Sequence, residues 1–198
     1  MKLPILVLLA CLTAPLALGA DVPVGGRLPD LSIAERGELV ISGDDVDYRT
    51  WSYPQQPGKV HVLQYLAATR AASNINKPFT DRMKTDLPKG SFLSTTILNL
   101  DEAVWGTAGL VVSELKSNKR DFPNAVLVAD EDGAGLQQWQ LEKESSAIIV
   151  TDPAGVVRYF KQGPMSAAEI DSTLELVRQY IAGGAPPVAA AAAATSGH

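Results

Sequence analysis

The 198-residue sequence contains a single cysteine, Cys11, which lies in an apolar stretch near the N-terminus. If that stretch is removed as an export signal, the remaining chain has no thiol. It then has no disulfide, no thiolate nucleophile and no thiol-bound metal. Thiol–disulfide exchange is therefore excluded for the mature chain unless Cys11 is retained.

Histidine is also scarce, with only His61, inside an apolar run, and His198, at the end of the chain. A Ser–His–Asp arrangement needs a histidine base, and a catalytic zinc site needs a set of nitrogen, sulfur or carboxylate ligands. We interpret His61 as a strand histidine with a hydrogen-bonded ring. The sequence predicts no catalytic residue, no metal and no cofactor.

Positive charge is in deficit, with 17 Lys and Arg against 22 Asp and Glu, a net charge of −5 and a pI near 5.0. Binding to nucleic acid depends on neutralising phosphates, and binding to anionic lipid depends on polybasic segments. The balance argues against both partners. Two groups of acids, at 44–47 and 130–132, lack EF-hand spacing, and we interpret them as turn residues rather than Ca²⁺ ligands.

The first twenty residues have the layout of an export signal. Lys2 supplies the positive charge, residues 3–18 are almost wholly apolar, and Ala20 places a small residue before Asp21. The apolar run is shorter than the ~20 residues of a membrane span. We expect a periplasmic protein, cleaved near Ala20, without a stable span. A lipoprotein box ending at Cys11 is the alternative, although the apolar region continues well past that cysteine.

Beyond the signal, the sequence predicts one domain at 21–183 and a tail at 184–198. The tail consists mainly of Pro, Ala, Thr, Ser and Gly and includes six consecutive alanines from Ala189. Such a segment has no apolar face to dock, so we expect it to be disordered.

Strand-like and helix-like patterns alternate within 21–183. Apolar runs on either side of Gly37 predict a β-hairpin with its turn at that glycine. A buried strand from Val60 leads into a helix that contains Pro78, which we expect to kink it. A capping box at Ser166 opens a last helix, and Gly183 ends it. Further strands are predicted at 95–100, 125–129, 147–151 and 156–160, and a short helix near 110–115 is predicted to end at 117–120. This order predicts an α/β protein with a mixed sheet, helices on both faces and an N-terminal β-hairpin extension, which suits a thioredoxin-like fold.

The stretch at 58–78 resembles the approach to the active site of exported thioredoxin-like reductases. Gly58 and Lys59 precede an apolar strand and an alanine-rich turn, as they do before the Cys-x-x-Cys motif of those proteins. Counted through the resemblance, the two cysteine positions fall on Arg70 and Ser73. The position of the usual cis-proline falls on Ser146. The chain therefore resembles a thioredoxin frame in which both thiols and the cis-proline are replaced.

More narrowly, the chain resembles the YtfJ family of bacterial periplasmic proteins. The matching stretches lie at 36–40, 58–64, 117–119 and 139–147, and the resemblance spans roughly residues 25–180. It implies a periplasmic thioredoxin-like domain of undefined biochemical role, and it supplies no catalytic residues.

The start of the helix after the central strand is the predicted ligand site. Arg70 and the free N–H groups of the first turn could hold a carboxylate or a phosphate. Ser73 could donate to the same ligand, and Thr69 and Ser146 would line the pocket. The alternatives are a solvated arginine on a turn and a serine that only caps the helix.

Two functions follow from these observations. The first is a redox-inactive binding or adaptor module for a peptide or a small anionic ligand, with a peptide or protein partner in the envelope. The alternative is a periplasmic enzyme that uses acid–base chemistry from Asp101, Glu102 or Glu144. Of the three tryptophans, Trp105 lies in a glycine-flanked loop and is predicted to be the exposed one. The sequence leaves the oligomeric state open.

Overall fold

A computed structural model of the protein describes residues 20–55 and 57–183. The predicted export signal, apart from Ala20, and the predicted tail at 184–198 lie outside the described residues, so both stay predictions. Within the described ranges, no helix is long and apolar enough to cross a membrane.

The part of the chain that the structure describes forms one mixed sheet of seven strands. They are β1 (Leu31–Ser42), β2 (Asp45–Tyr53), β3 (Val60–Ala67), β4 (Phe92–Asn99), β5 (Val126–Asp130), β6 (Ser146–Thr151) and β7 (Val157–Gln162). Their order across the sheet is β2-β1-β5-β4-β3-β6-β7. The neighbours β3, β4 and β5 are parallel, and the other pairs are antiparallel. β3 has a strand on each side, β4 and β6, and seven of its eight residues are buried.

In residues 20–55 and 57–183, five α-helices and one 3₁₀ helix surround the sheet. They are α1 (Arg70–Ile75), α2 (Lys77–Asp86), the 3₁₀ helix (Leu100–Glu102), α3 (Ala108–Asp121), α4 (Ala134–Gln138) and α5 (Ala167–Ile181). Alternate residues of β3 point to opposite faces: Val62 packs in a cluster with α2 and α5, whereas Tyr65 packs in a cluster with Trp139 and α4. The prediction of a mixed sheet with helices on both faces is confirmed.

The N-terminal hairpin is present, but its turn is not at Gly37. β1 continues to Ser42, and the turn to β2 is made by Gly43 and Asp44. Arg36 and Gly37 instead form a bulge in β1, with φ of 59° and 75°. The prediction was wrong because a bulge and a turn use the same property of glycine, its tolerance of positive φ.

The helix after β3 is interrupted rather than kinked at Pro78. α1 ends at Ile75, and α2 begins at Lys77, so Pro78 occupies the first turn of a new helix. A proline there has no intrahelical hydrogen bond to lose. Two helices also differ from the prediction. α3 continues to Asp121, beyond its predicted end, and the short α4 was not predicted.

Candidate functional site at the carboxyl edge of the sheet

The carboxyl ends of the parallel strands meet in one place. We call this surface the carboxyl edge; it comprises residues 68–73, the 3₁₀ helix with the loop to residue 107, and the loop at 142–145. Backbone hydrogen bonds join these segments, from Ala68 N to Asn99 O and from Ala67 N to Ser145 O, both 3.0 Å. In open α/β sheets, ligands commonly bind at this edge.

The structure places Arg70 and Ser73 at the opening of α1, directly after the central strand. Thr69 caps this helix, since its Oγ1 accepts a hydrogen bond from Ala72 N at 3.1 Å. Ser73 Oγ donates to the Thr69 carbonyl at 2.9 Å. Arg70 is exposed, and its side chain has no hydrogen bond or ion pair to any described residue. The predicted positions are confirmed, and contact with a ligand stays a prediction.

Ser146 does not share the surface with Arg70. It is the first residue of β6, pairs with Leu66 and is 0% exposed. Its Oγ lies 3.2 Å from Asn76 Nδ2 and 3.4 Å from Gln64 Nε2. The structure therefore brings Thr69, Arg70 and Ser73 together and leaves Ser146 beneath them, and a role for Ser146 in ligand contact stays a prediction.

Asn76, between α1 and α2, is a supporting residue that the sequence reasoning missed. It is 1% exposed, and its Nδ2 donates to Ser146 Oγ and, at 3.1 Å, to the Gly163 carbonyl. Its Oδ1 accepts from Met165 N at 3.1 Å. The signal was Pro78 two residues later, because a proline in a first helical turn marks the preceding residues as a helix start, where Asn is common.

Glu102 joins two parts of the carboxyl edge. Its Oε2 accepts from Asn99 Nδ2 at 2.8 Å, and its Oε1 accepts from Glu144 N at 2.6 Å. The side chains of Asp101 and Glu144 are exposed. Both oxygens of Glu102 hold structural hydrogen bonds, which argues against this residue as a catalytic acid or base. The acid–base enzyme stays an alternative prediction.

Of the acids at 130–132, Asp130 ends β5, whereas Glu131 and Asp132 lie in the loop that leads to α4. Asp130 accepts hydrogen bonds from Ala134 N and Gly135 N at 2.9 and 2.8 Å and so caps α4. Tyr65 OH donates to Asp130 Oδ2 at 2.8 Å. Burial and the neighbouring Asp130 carboxylate raise the pKa of Tyr65 well above its ordinary value. Within the described ranges, no three His, Cys, Asp or Glu side chains are grouped to hold a metal ion.

Exposed apolar side chains extend the carboxyl edge toward α3. Trp105 is 97% exposed, Val104 61% and Leu110 73%, whereas Trp51 and Trp139 are buried. We call the three exposed residues the Trp105 patch. Val104 and Trp105 lie in the loop after the 3₁₀ helix, and Leu110 lies in the first turn of α3. Hydrogen bonds from Thr107 N to Val104 O and from Leu110 N to Thr107 O, both 2.9 Å, hold the segment together. The predicted exposure of Trp105 is confirmed.

Two cavities lie away from this edge. One, of about 100 Å³, is lined by residues that include Gln64, Thr80 and Lys84; the other, of about 130 Å³, lies between β7 and α5 beside Tyr159 and Thr173. Pockets for ligands of drug size are about 300–1,000 Å³. Neither cavity suits a peptide.

The sheet order and the helix opening after its central strand define a thioredoxin-like protein, and solved structures agree. A putative protein disulfide isomerase from Bacteroides thetaiotaomicron has a TM-score of 0.58 and 16% identity, with 84% of this chain and 95% of that chain covered. A putative thiol:disulfide interchange protein DsbE from Chlorobium tepidum has a TM-score of 0.54 and 12% identity, with 81% and 99% covered. At these identities the likeness shows the fold alone.

Residues 22–180 match the family described as "Bacterial protein of unknown function (YtfJ_HI0045)", and the chain belongs to this family. It is 36% identical to the uncharacterized protein YtfJ of Escherichia coli (strain K12) over 175 residues, which cover 87% of this chain and 95% of that protein. It is 34% identical to an uncharacterized protein of Haemophilus influenzae over 151 residues, 76% of this chain and 82% of that one. The resemblance predicted from the sequence is confirmed.

Proposed function

We propose that this thioredoxin-like protein is an exported, redox-inactive binding or adaptor module that holds a peptide segment of a partner at its carboxyl edge. The observation that supports the proposal is Trp105, which is 97% exposed beside Val104 at the end of the sheet where ligands commonly bind. Leaving a large aromatic side chain in water forgoes the free energy of burial. Contiguous exposed apolar residues mark interaction surfaces, and tryptophan is enriched among the residues that dominate binding energy.

Arg70 and Ser73 supply the polar part of the proposed site. The exposed guanidinium of Arg70 could pair with a carboxylate or phosphate of the bound segment, or with a small anion. Thr69 holds the opening turn of α1 in place through its cap on Ala72 N. Ser146 would contribute indirectly, since its hydroxyl is hydrogen-bonded to Asn76, the N-cap residue of α2.

The redox-inactive part of the proposal rests on composition. Residues 21–198 contain no cysteine, and the two positions that resemble the thioredoxin cysteines hold Arg70 and Ser73. Thiolate is the nucleophile of disulfide exchange. The purified chain 21–198 is therefore expected to leave the rate of insulin reduction by dithiothreitol unchanged, and an accelerated rate would contradict this part.

The periplasmic location rests on the sequence of residues 1–20 alone. The mass of the intact protein isolated from cells tests it. A mass that corresponds to a chain beginning near Asp21 supports export with cleavage. A mass that corresponds to a lipid-modified chain beginning at Cys11 would indicate a membrane-anchored protein instead.

Cross-linking at defined positions tests the binding function. A photo-reactive amino acid is placed in turn at Arg70, Trp105 and Phe122, and cells are irradiated. Phe122 is the matched control because it is 66% exposed and lies at the other end of α3, about 20 Å from Trp105 by helix length. We expect discrete protein adducts from positions 70 and 105 and none from 122. Equal adducts at all three positions, or none at 70 and 105, would contradict the proposal.

An Arg70→Glu change in the chain that carries the photo-reactive group at 105 separates the two parts of the site. If Arg70 pairs with a carboxylate or phosphate of the partner, this change reduces the adduct at 105. An unchanged adduct would remove Arg70 from the site and leave the Trp105 patch.

A further inference from the structure

We infer that the segment held at the Trp105 patch is cationic as well as apolar, with lysine or arginine side chains on either side of an apolar or aromatic residue. This inference rests on the binding function proposed above and adds the chemical class of the partner.

Three segments that carry acidic residues meet next to the Trp105 patch. Asp101 and Glu102 form the 3₁₀ helix that precedes it. Glu102 Oε1 accepts from Glu144 N at 2.6 Å, which places Glu144 next to Glu102. A Cβ built on Gly133 would lie 3.6 Å from Asp101 Cβ, so the loop that carries Asp132 and Gly133 lies against Asp101.

These four carboxylates are not neutralised by the protein itself. None of them takes part in an ion pair among the described residues, whereas Glu131 beside them pairs with Arg36. Asp101, Asp132 and Glu144 are exposed, and Glu102 is half-buried. Within the carboxyl edge as defined, the cations are Arg70 and Lys143, against the carboxylates of Asp101, Glu102, Glu142 and Glu144. The carboxyl edge therefore carries an excess of negative charge around an apolar centre.

A partner with complementary charge gains from this arrangement. Opposite charges across an interface raise the association rate and exclude partners of the wrong sign. Lysine and arginine also have apolar stems that can pack beside an exposed tryptophan while their charged ends reach the carboxylates.

Other occupants fit less well. An anionic lipid surface or an acidic peptide would meet four carboxylates of the same sign. A second copy of the chain, bound through the same patch, would place identical carboxylates against each other, since a two-fold interface is self-complementary. A cationic, apolar segment of another protein meets neither obstacle.

Three acetylated peptides test the inference. They share one frame of Leu and Phe residues and carry Lys, Gln or Glu at the remaining positions, without tryptophan. Chain 21–198 is titrated with each peptide up to 1 mM, and tryptophan emission reports binding because Trp105 is exposed and both Trp51 and Trp139 are buried. We expect the lysine peptide to bind at least tenfold more tightly than the glutamate peptide. Its affinity should fall several-fold in 0.3 M NaCl, because salt screens exposed charges.

Two pairs of variants assign the contacts, with peptide fluorescence anisotropy as the readout. Trp105→Ala should abolish binding of the lysine peptide, whereas Phe122→Ala should leave it unchanged. Asp101→Asn with Glu144→Gln should weaken the lysine peptide five- to tenfold and leave the glutamine peptide unaffected. Asp44→Asn with Asp47→Asn, which removes two exposed carboxylates near the β1–β2 turn, should change neither.

The outcomes separate this inference from the binding function. Equal binding of the lysine and glutamine peptides, lost in Trp105→Ala, would overturn the charge requirement and keep the binding site. A preference for the glutamate peptide would overturn the requirement for a cationic segment and would indicate that Arg70 makes the main contact. If no peptide binds at 1 mM, the inference is overturned, and the cross-linking experiment decides the binding function independently.

Discussion

At the scale of single residues, His61 lies in the central strand and is 3% exposed, with its Nε2 2.8 Å from Thr95 Oγ1. Burial lowers the pKa of its imidazole from 6.5 to about 4. The interpretation of His61 as a hydrogen-bonded strand histidine is confirmed. Because the charged form is disfavoured inside the sheet, this residue couples folding to pH.

The protein is expected to lose stability as the pH falls from 6.5 toward 4. The unfolded chain binds a proton at His61 near pH 6.5, whereas the folded protein resists protonation until about pH 4. Stability from this residue is therefore complete above pH 6.5 and declines below it, by about 2 kcal/mol between pH 7.5 and pH 5. Urea unfolding at the two pH values measures the change.

His61→Gln is the matched control, since glutamine can hydrogen-bond to Thr95 but does not titrate in this range. The variant should be less stable than the native protein at pH 7.5 and should lose about 2 kcal/mol less on transfer to pH 5. The same pH dependence in both proteins would contradict the assignment to His61.

Local sequence was sufficient to place several residues and insufficient for others. The positions of Arg70 and Ser73 followed from counting along one strand and one turn, and the exposure of Trp105 followed from its glycine-flanked loop. The burial of Ser146 did not, because it depends on Asn76, which is 70 positions away in the sequence. Contacts of this kind arise from tertiary packing and leave no local pattern.

At the scale of secondary-structure elements, the bulge in β1 is the feature that most constrains the sequence. A Cβ on Gly37 would lie 2.3 Å from the Arg49 carbonyl oxygen and 2.8 Å from that of Ile33, with φ at +75°. The bulge also brings Arg36 into register with Asp130 of β5. Glycine at this position therefore permits β1 to pair with strands on both sides.

Gly37→Ala should destabilise the protein by about 3 kcal/mol, since it adds both a clash with backbone atoms and a strained φ. The control is Gly43→Ala, at φ +58° in the β1–β2 turn, where an added Cβ would have no atom within 4 Å. That change should cost only about 1 kcal/mol. Equal losses in chemical denaturation would show that the clash at Gly37 is relieved by movement of β1.

Asn76 links three elements, because it joins the α1–α2 junction to β6 and to the segment before α5. Asn76→Ala would remove its hydrogen bonds to Ser146 Oγ, to the Gly163 carbonyl and from Met165 N, at a cost of about 3 kcal/mol. Asn74→Ala, at an exposed position two residues earlier, should cost less than about 0.5 kcal/mol. Thermal unfolding of both variants measures the difference, and a similar loss in both would contradict the linking role.

The elements that the sequence predicted well are those with strong apolar periodicity. The central strand, the last hairpin and the capping box of α5 are all present, and the capping box has both of its hydrogen bonds. The short α4 was not predicted because its N-cap residue is Gly133, which has no side chain to cap the helix. Its first N–H groups are bound instead by Asp130 and by Tyr65 OH. Short helices that depend on distant partners lack a sequence signature of their own.

At the scale of the whole molecule, the order of strands and helices was enough to predict a thioredoxin-like fold. The proposed binding surface was only partly predictable. Its location at the carboxyl edge followed from topology, but the grouping of Asp101, Asp132 and Glu144 did not, because these residues belong to three loops that only the folded sheet brings together. The sequence alone predicted a peptide or a small anionic ligand near Arg70, whereas the assembled edge favours a cationic segment.

The central claim is that the carboxyl edge is the binding surface, and an NMR footprint tests it most directly. Chain 21–198 labelled with ¹⁵N is titrated with the lysine peptide, and the shifts of all assigned amide signals are followed. We predict that the largest shifts fall at 69–73, 100–110 and 142–145, and that Trp105→Ala removes them. Largest shifts along α2 and α5, or no shifts at 1 mM peptide, would contradict the account.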